Sequence, residues 1–188
     1  MSINLLEKVV QYVNCPPLKK IDPNTQDEGI QHYTFEQAAI PAVLTAMYKY
    51  VQSDPGAEEV LRGTASTNWV IKIFHGNHND TAEKIKTFSG MNVVDAEIKM
   101  NAVADAAIAI MKENLGEGAG IKEVKTFFLN QRNNILPYLV PELHLGELLH
   151  DDTIDDNVNK MEGPISSLMK GIGAAFSNPV TKEDVNKV

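Results

Sequence analysis

The stretch VVDAEIKMNAVADAAIAIMKENL, residues 93–115, decides the fold class of this chain. Its apolar residues recur every three or four positions, which is the spacing of one face of a helix. We assign seven side chains to that face: Val94, Ile98, Ala102, Val103, Ala106, Ile110 and Met111. Alanine is frequent between them, and small side chains let neighbouring helices pack closely. The pattern predicts a long buried helix that the glycines from residue 116 onwards terminate.

The sequence on both sides of this stretch repeats the helical signal. Upstream, Thr34 and Gln37 match a capping box at the start of a helix that contains Pro41, and we expect the proline to kink that helix or to split off its first turn. No run alternates between apolar and polar residues as a half-buried strand would, and Trp69–Phe74 is the one ambiguous segment. We therefore predict an all-α fold, a compact bundle of about seven to nine mostly short helices.

Prolines and polar runs divide the chain. A proline-rich stretch interrupts the helical periodicity early, and a polar stretch ends the sequence. Residues 39–44 resemble residues 135–140, so the main domain is either one bundle or two similar lobes. We predict an N-terminal helix over 1–13, a loop or linker over 14–33, a helical domain over 34–176 with possible lobes 34–115 and 116–176, and a flexible tail over 177–188.

Composition excludes several classes of partner. The 188 residues include 17 basic and 25 acidic side chains, for a net charge of −8. Nucleic-acid binding requires a basic face, and an acidic surface also repels anionic membranes. The single cysteine, Cys15, permits no intramolecular disulfide, and we see neither a signal peptide nor a membrane span. These features predict a cytoplasmic protein that binds neither nucleic acid nor membrane.

The string LLHDDTIDD, residues 148–156, is the feature most like chemistry. On a helix, Asp152, Asp155 and Asp156 share one face, and clustered carboxylates can hold Mg²⁺ that in turn holds a diphosphate. The string resembles the first aspartate-rich motif of trans-prenyltransferases, with Asp151, Asp152 and Asp155 at the three motif positions. That resemblance implies magnesium ions and a diphosphate substrate at those residues. The second aspartate-rich motif of that family has no counterpart in this sequence.

The same string also resembles the His-Asp doublet of a superfamily of metal-dependent phosphohydrolases, which implies that His150 and Asp151 are metal ligands. The earlier histidine and the late aspartate of that superfamily have no counterpart here. A second possible metal trio, His75, His78 and Asp80, lies in a stretch whose glycine and asparagines indicate a loop. We interpret residues 148–156 as an acidic turn between helices. We assign no catalytic residue and no cofactor, and a magnesium-dependent enzyme acting on a phosphate or diphosphate is the alternative.

Three segments carry a family resemblance: residues 39–44, the alanine-rich residues 102–109, and residues 134–139. Together they resemble the YidB-like group of small bacterial helical proteins. The resemblance implies a helical, bacterial, cytoplasmic protein, and it supplies no catalytic residues.

We therefore predict a non-enzymatic protein that binds another protein or itself. A stripe of large apolar side chains near the end of the sequence is the candidate interaction face. The same stripe could instead pack on the core of the protein. Its members are Met161, Leu168, Met169, Ile172 and Phe176.

Overall fold

The computed structural model describes residues 3–21, 33–64, 66–151 and 154. Within these residues the chain forms eight α-helices and two short 3-10 turns, with no strand, which confirms the all-α prediction. The helices are α1 (Leu5–Tyr12), α2 (Phe35–Tyr50), α3 (Asp54–Arg62), α4 (Trp69–Ile73), α5 (His78–Ser89), α6 (Val93–Leu115), α7 (Ile121–Ile135) and α8 (Leu145–Leu149). The 3-10 turns, Leu136–Tyr138 and Pro141–Leu143, lie between α7 and α8. The end of the predicted helical domain, residues 155–176, and the predicted tail, residues 177–188, lie outside the described residues.

Helix α2 is the centre of the bundle. It contacts α1, α4, α5, α6, α7 and α8, and 12 of its 16 residues are buried. The Thr34 hydroxyl caps it by accepting the Gln37 N–H at 3.2 Å, as the capping box predicts. The helix runs unbroken through Pro41, which removes only the bond to the Gln37 carbonyl. We infer that packing on six neighbouring helices offsets that single loss.

The buried side chains form one core. Apolar residues from α1 through α8, with Ile154, belong to a single cluster, and both predicted lobes contribute to it. Its largest fully buried members include Trp69, Phe74 and Phe128. The ambiguous run at Trp69 is helical, because Asn68 accepts the Ile71 N–H and caps α4 there.

Helix α6 begins at Val93 and ends at Leu115, as predicted, but three of the seven side chains that we predicted to be buried are exposed. Val103, Ala106 and Met111 are buried. Val94 and Ile98 are instead 65% and 63% exposed. Ala102 is exposed as well. In the first half of the helix the side chains that enter the core are Ala96 and Met100, which share the same helical spacing on another face.

Two buried glutamines fasten chain segments to the bundle. The carboxamide of Gln37 accepts the Lys19 N–H at 2.8 Å and donates to the Lys19 carbonyl at 3.0 Å. It also donates to the Tyr138 carbonyl at 3.2 Å, so this side chain does not close the capping box. Gln131 of α7 accepts the N–H of Leu5, the first residue of α1, at 2.9 Å. These bonds hold the extended segment after α1 and the start of α1 in place.

Five lysines connect separate elements through their ammonium groups. Three pair with carboxylates on other elements, and two donate at 2.9 Å to main-chain carbonyls. We call these five residues the tether lysines. Their pairings are Lys49 with Asp151, Lys72 with Glu59, Lys125 with Asp54, Lys84 with the Leu143 carbonyl and Lys112 with the Gly63 carbonyl.

Candidate functional site

An apolar face of α6 is exposed to solvent at its N-terminal end. Val94, Ile98 and Ala102 follow one another at intervals of four residues, so they lie on one face of the helix. We call these three residues the α6 stripe. Val94 and Ile98 rank with Tyr12 among the most exposed large apolar side chains of the described residues. Single exposed apolar residues are ordinary, but neighbours one turn apart on a rigid helix form a surface.

Two charged residues of opposite sign flank the α6 stripe. Asp95 lies in the first turn of the helix, where its main-chain N–H donates to Asn92 at 2.9 Å and its carboxylate accepts the Asn92 amide. A carboxylate is favourable at that end because of the helix dipole. Lys99 lies one turn further on, with its ammonium 5.4 Å from the centre of the Phe35 ring. A cation–π contact therefore holds the lysine beside the stripe.

The acidic string is only partly within the described residues. Asp151 follows α8, and its carboxylate forms an ion pair with Lys49 of α2. The Asp151 carboxylate is therefore already paired with an ammonium group of the protein. Asp152 and Asp155, the other two predicted ligands, lie outside the described residues. The magnesium hypothesis stays a prediction that rests on them.

The three residues of the second metal hypothesis lie in the α4–α5 loop, where His75 is, and in the first turn of α5, where His78 and Asp80 are. Asn77 donates from its amide to the Leu148 carbonyl at 2.9 Å, which brings the α4–α5 loop against α8. The His75 ring lies 5.8 Å from the Tyr50 ring, whereas His78 Nε2 lies 3.9 Å from the Glu97 carboxylate, so the two histidines face different partners. Among the residues that the structure describes, no three His, Cys, Asp or Glu side chains are grouped to hold a metal ion.

A polar cluster joins the ends of α2, α3 and α4. The Glu59 carboxylate accepts hydrogen bonds from the Lys72 ammonium and from the Tyr50 hydroxyl. These bonds lower the pKa of Glu59, while burial and the adjacent carboxylate raise the pKa of Tyr50 above its ordinary value. The cluster therefore holds a neutral tyrosine, an ionised glutamate and a lysine at neutral pH. It contains no activated nucleophile, and it ties three helices together.

Two further sequence features have structural roles. The Cys15 thiol is half-buried, and burial together with the nearby Glu36 raises its pKa, which leaves it protonated and a poor nucleophile. At the start of α7, the Glu123 carboxylate accepts the Gly120 N–H at 3.0 Å. That carboxylate occupies the end of the helix where a phosphate would bind, so the glycine-rich loop over 116–120 is not free to bind one.

The predicted interaction residues, Met161, Leu168, Met169, Ile172 and Phe176, lie outside the described residues. The α6 stripe was instead predicted to be buried, and one signal in the sequence could have identified its exposure. Asp105 follows Ile98 by seven residues and so lies on the face of the stripe, whereas the buried face at positions 96, 100, 103, 104, 107 and 111 carries no charged residue. Charged residues mark the solvent face of a helix that is apolar on two sides.

Comparison of the chain with protein-family models, with curated proteins and with solved structures gives no match. The resemblance to the YidB-like group therefore stays a prediction from sequence. Within the described residues, no helix combines the length and the apolar character that crossing a membrane requires.

Proposed function

We propose that this protein is a non-enzymatic helical module that associates with a second copy of itself through the α6 stripe. The observation that supports the proposal is the pair of large apolar side chains, Val94 and Ile98, held two-thirds exposed on a helix whose opposite face is fixed in the core. Burying them against a matching surface removes apolar area from water, which favours association.

The charges of Asp95 and Lys99 favour one partner and one orientation of the two helices. If two α6 helices pair in parallel, each Asp95 faces another Asp95, and like charges repel. In an antiparallel pair about a two-fold axis that passes between Val94 and Ile98, Asp95 of one copy lies beside Lys99 of the second copy, twice. Val94 then lies near Ile98 of the second copy. This self-complementarity of charge and shape favours a homodimer over an unrelated partner.

The size of the stripe sets the strength of the association. Stable interfaces bury on the order of 1,000 Å² or more in total, and a stripe of two large side chains and an alanine is smaller. We therefore expect a weak, reversible dimer with a dissociation constant on the order of 100 µM. We propose that it works in the bacterial cytoplasm, in keeping with the resemblance to the YidB-like group.

Sedimentation velocity across protein concentration tests the proposal. The wild type should shift from monomer to dimer between about 10 µM and about 1 mM. Ile98→Lys should remain monomeric throughout, because it places two like charges at the centre of the pair. Ile71→Lys is the matched control, since Ile71 is also an exposed isoleucine, at 45%, on a different helix. That variant should dimerise like the wild type.

A charge-reversal series tests the direction of the pair. Lys99→Asp alone should weaken the dimer, because each new aspartate lies near Asp95 of the other copy. The double variant Asp95→Lys/Lys99→Asp should recover most of the loss, with circular dichroism confirming that α6 remains helical. A monomer at every concentration, or equal effects of Ile98→Lys and Ile71→Lys, would refute self-association through this surface.

A further inference from the structure

An open cavity of about 310 Å³ lies at the other end of α6, between that helix, α7 and the chain before α1. Its wall combines apolar side chains, Ile3, Leu115 and Phe127, with the amide side chains of Asn114, Asn130 and Gln131. The volume is at the lower limit for a small-ligand site. Asn114 lies 16 residues beyond Ile98, which is about 24 Å along a helix, so the cavity and the α6 stripe are separate surfaces.

Gln131 is the only one of the three amides that is buried, with 2% of its surface exposed. Its oxygen, Oε1, accepts the Leu5 N–H at 2.9 Å and the Asn134 amide at 3.2 Å. Because both partners are donors, they fix which end of the carboxamide is oxygen. The nitrogen, Nε2, donates to no residue within the described part of the chain, although Gln131 lines the cavity. Nε2 is not one of the buried side-chain atoms that lack a partner among the described residues, so it reaches the open cavity, where a bound acceptor can take its hydrogen bond.

The protein already uses a buried glutamine to bind a peptide main chain. Gln37 accepts the Lys19 N–H and donates to the Lys19 carbonyl, so the carboxamide pairs with one residue of an extended segment as a neighbouring strand would. Gln131 accepts the Leu5 N–H in the same way, but its Nε2 donates to no main-chain carbonyl of the described residues. The charges beside it, Lys122 and Glu123, are of opposite sign, so the cavity carries no net charge that would select an ion.

We propose that this cavity binds a short stretch of uncharged peptide main chain. A carbonyl of the peptide accepts from Gln131 Nε2, the exposed amides of Asn130 and Asn114 bond the adjoining peptide group, and a small apolar side chain packs on Leu115 and Phe127. The proposal does not depend on self-association through the α6 stripe.

Nuclear magnetic resonance titration of the full chain with the capped tripeptide acetyl-Ala-Leu-Ala-amide tests this site. The side-chain amide signals of Gln131, Asn130 and Asn114 should shift together and saturate, with a dissociation constant on the order of 1 mM for so few contacts. N-acetylglucosamine carries an acetamide group without a peptide chain and should bind more weakly. Tighter binding of the sugar than of the peptide would overturn the peptide assignment.

Two variants separate a binding role from a structural one. Gln131→Glu keeps an oxygen for the Leu5 N–H but lacks the Nε2 donor, and it should weaken peptide binding about tenfold or more. Asn130→Ala changes an exposed cavity residue and should weaken binding about threefold to tenfold without affecting the fold. Asn133→Ala alters an exposed asparagine of the same helix outside the cavity, and it should bind like the wild type. Absence of saturable shifts, or equal affinity of Asn130→Ala and Asn133→Ala, would overturn the proposal.

Discussion

Helices α2 and α6 are both long and alanine-rich, yet they have different surroundings. Other helices surround α2 so completely that every residue from Gln37 to Met47 is buried. Helix α6 is buried on one face and exposes Val94, Ile98 and Ala102 on another. Apolar content therefore does not determine how many faces of a helix the fold covers. The number of helices packed around it determines this, and those helices come from segments far away in sequence.

The largest expected difference between the two helices is the loss of stability when one large side chain is replaced by alanine. Leu44→Ala in α2 should lower the free energy of unfolding by about 3 kcal/mol, because it leaves a cavity among fully buried neighbours. Ile98→Ala in α6 should change it by less than about 0.5 kcal/mol, since the side chain contributes little to the core. Urea denaturation of both variants measures this difference. Equal losses would mean that the α6 stripe is covered in the folded protein.

A somewhat smaller effect is expected at Gln37, one of the few polar side chains buried in α2. Gln37→Met retains the length of the side chain but removes three hydrogen bonds to Lys19 and Tyr138, and we expect a loss of about 2 kcal/mol. The variant should also release the segment around Lys19, and trypsin should then cleave it faster. Gln11→Met, at an exposed position of α1, is the control and should change neither measurement.

These two helices also show what the sequence could predict. The bounds of α6 follow from its periodicity and from Gly116, and the start of α2 follows from Thr34. The buried face of α6 did not follow, because Val94–Ile98–Ala102 and Ala96–Met100–Ala104 have the same spacing, and only the positions of the charges distinguish them. Periodicity identifies a helix more reliably than it identifies which of two apolar faces is covered.

The candidate sites were less predictable, since their partners are distant in sequence. Lys49 and Asp151 pair across 102 positions, and nothing near the acidic string indicates a lysine there. Gln131, at the cavity wall, likewise bonds to Leu5, 126 positions earlier. Asparagine and glutamine in a helical sequence usually indicate a solvent-exposed face. Asn130 and Gln131 therefore gave no local signal of a cavity.

Thr45 provides a third, smaller test of how completely α2 is enclosed. Its hydroxyl is buried and has no hydrogen-bond partner among the described residues. Thr45→Val has nearly the same shape and removes the unsatisfied group, so it should raise the free energy of unfolding by about 1 kcal/mol. Thr126→Val, at an exposed position of α7, should have almost no effect. A loss of stability in Thr45→Val would indicate that water reaches this part of α2.

The smallest expected effects are on the pH dependence of stability. Ionisation of Glu59, next to the end of α2, and of Asp105, in α6, should affect stability in opposite directions. Bonds from Lys72 and Tyr50 lower the pKa of Glu59, next to the end of α2, below its ordinary value of 4.5. Its contribution to stability is therefore present above that value and is lost as the pH falls through the lowered pKa. Burial raises the pKa of Asp105, in α6, above 3.8, so its ionised form destabilises the fold at neutral pH and this effect disappears as the pH falls.

Melting temperatures measured between about pH 3 and about pH 7 test this contrast. Glu59→Gln should melt below the wild type at neutral pH, and Asp105→Asn should melt above it. Both differences should shrink towards acid, where the two carboxyl groups of the wild type are protonated. A difference that persists unchanged at low pH would show that the substitution acts through packing rather than through charge.

The tether lysines have a consequence for covalent labelling. Acetylation of an ammonium group requires the free amine, which must first leave its carboxylate or carbonyl partner and lose a proton. Lys84 and Lys112, which donate to the carbonyls of Leu143 and Gly63, should therefore react more slowly than the exposed Lys8 and Lys122. The rate at each site, read by mass spectrometry, would report how often that contact between elements opens. Enzymatic acetylation of the same side chains would loosen the bundle one connection at a time.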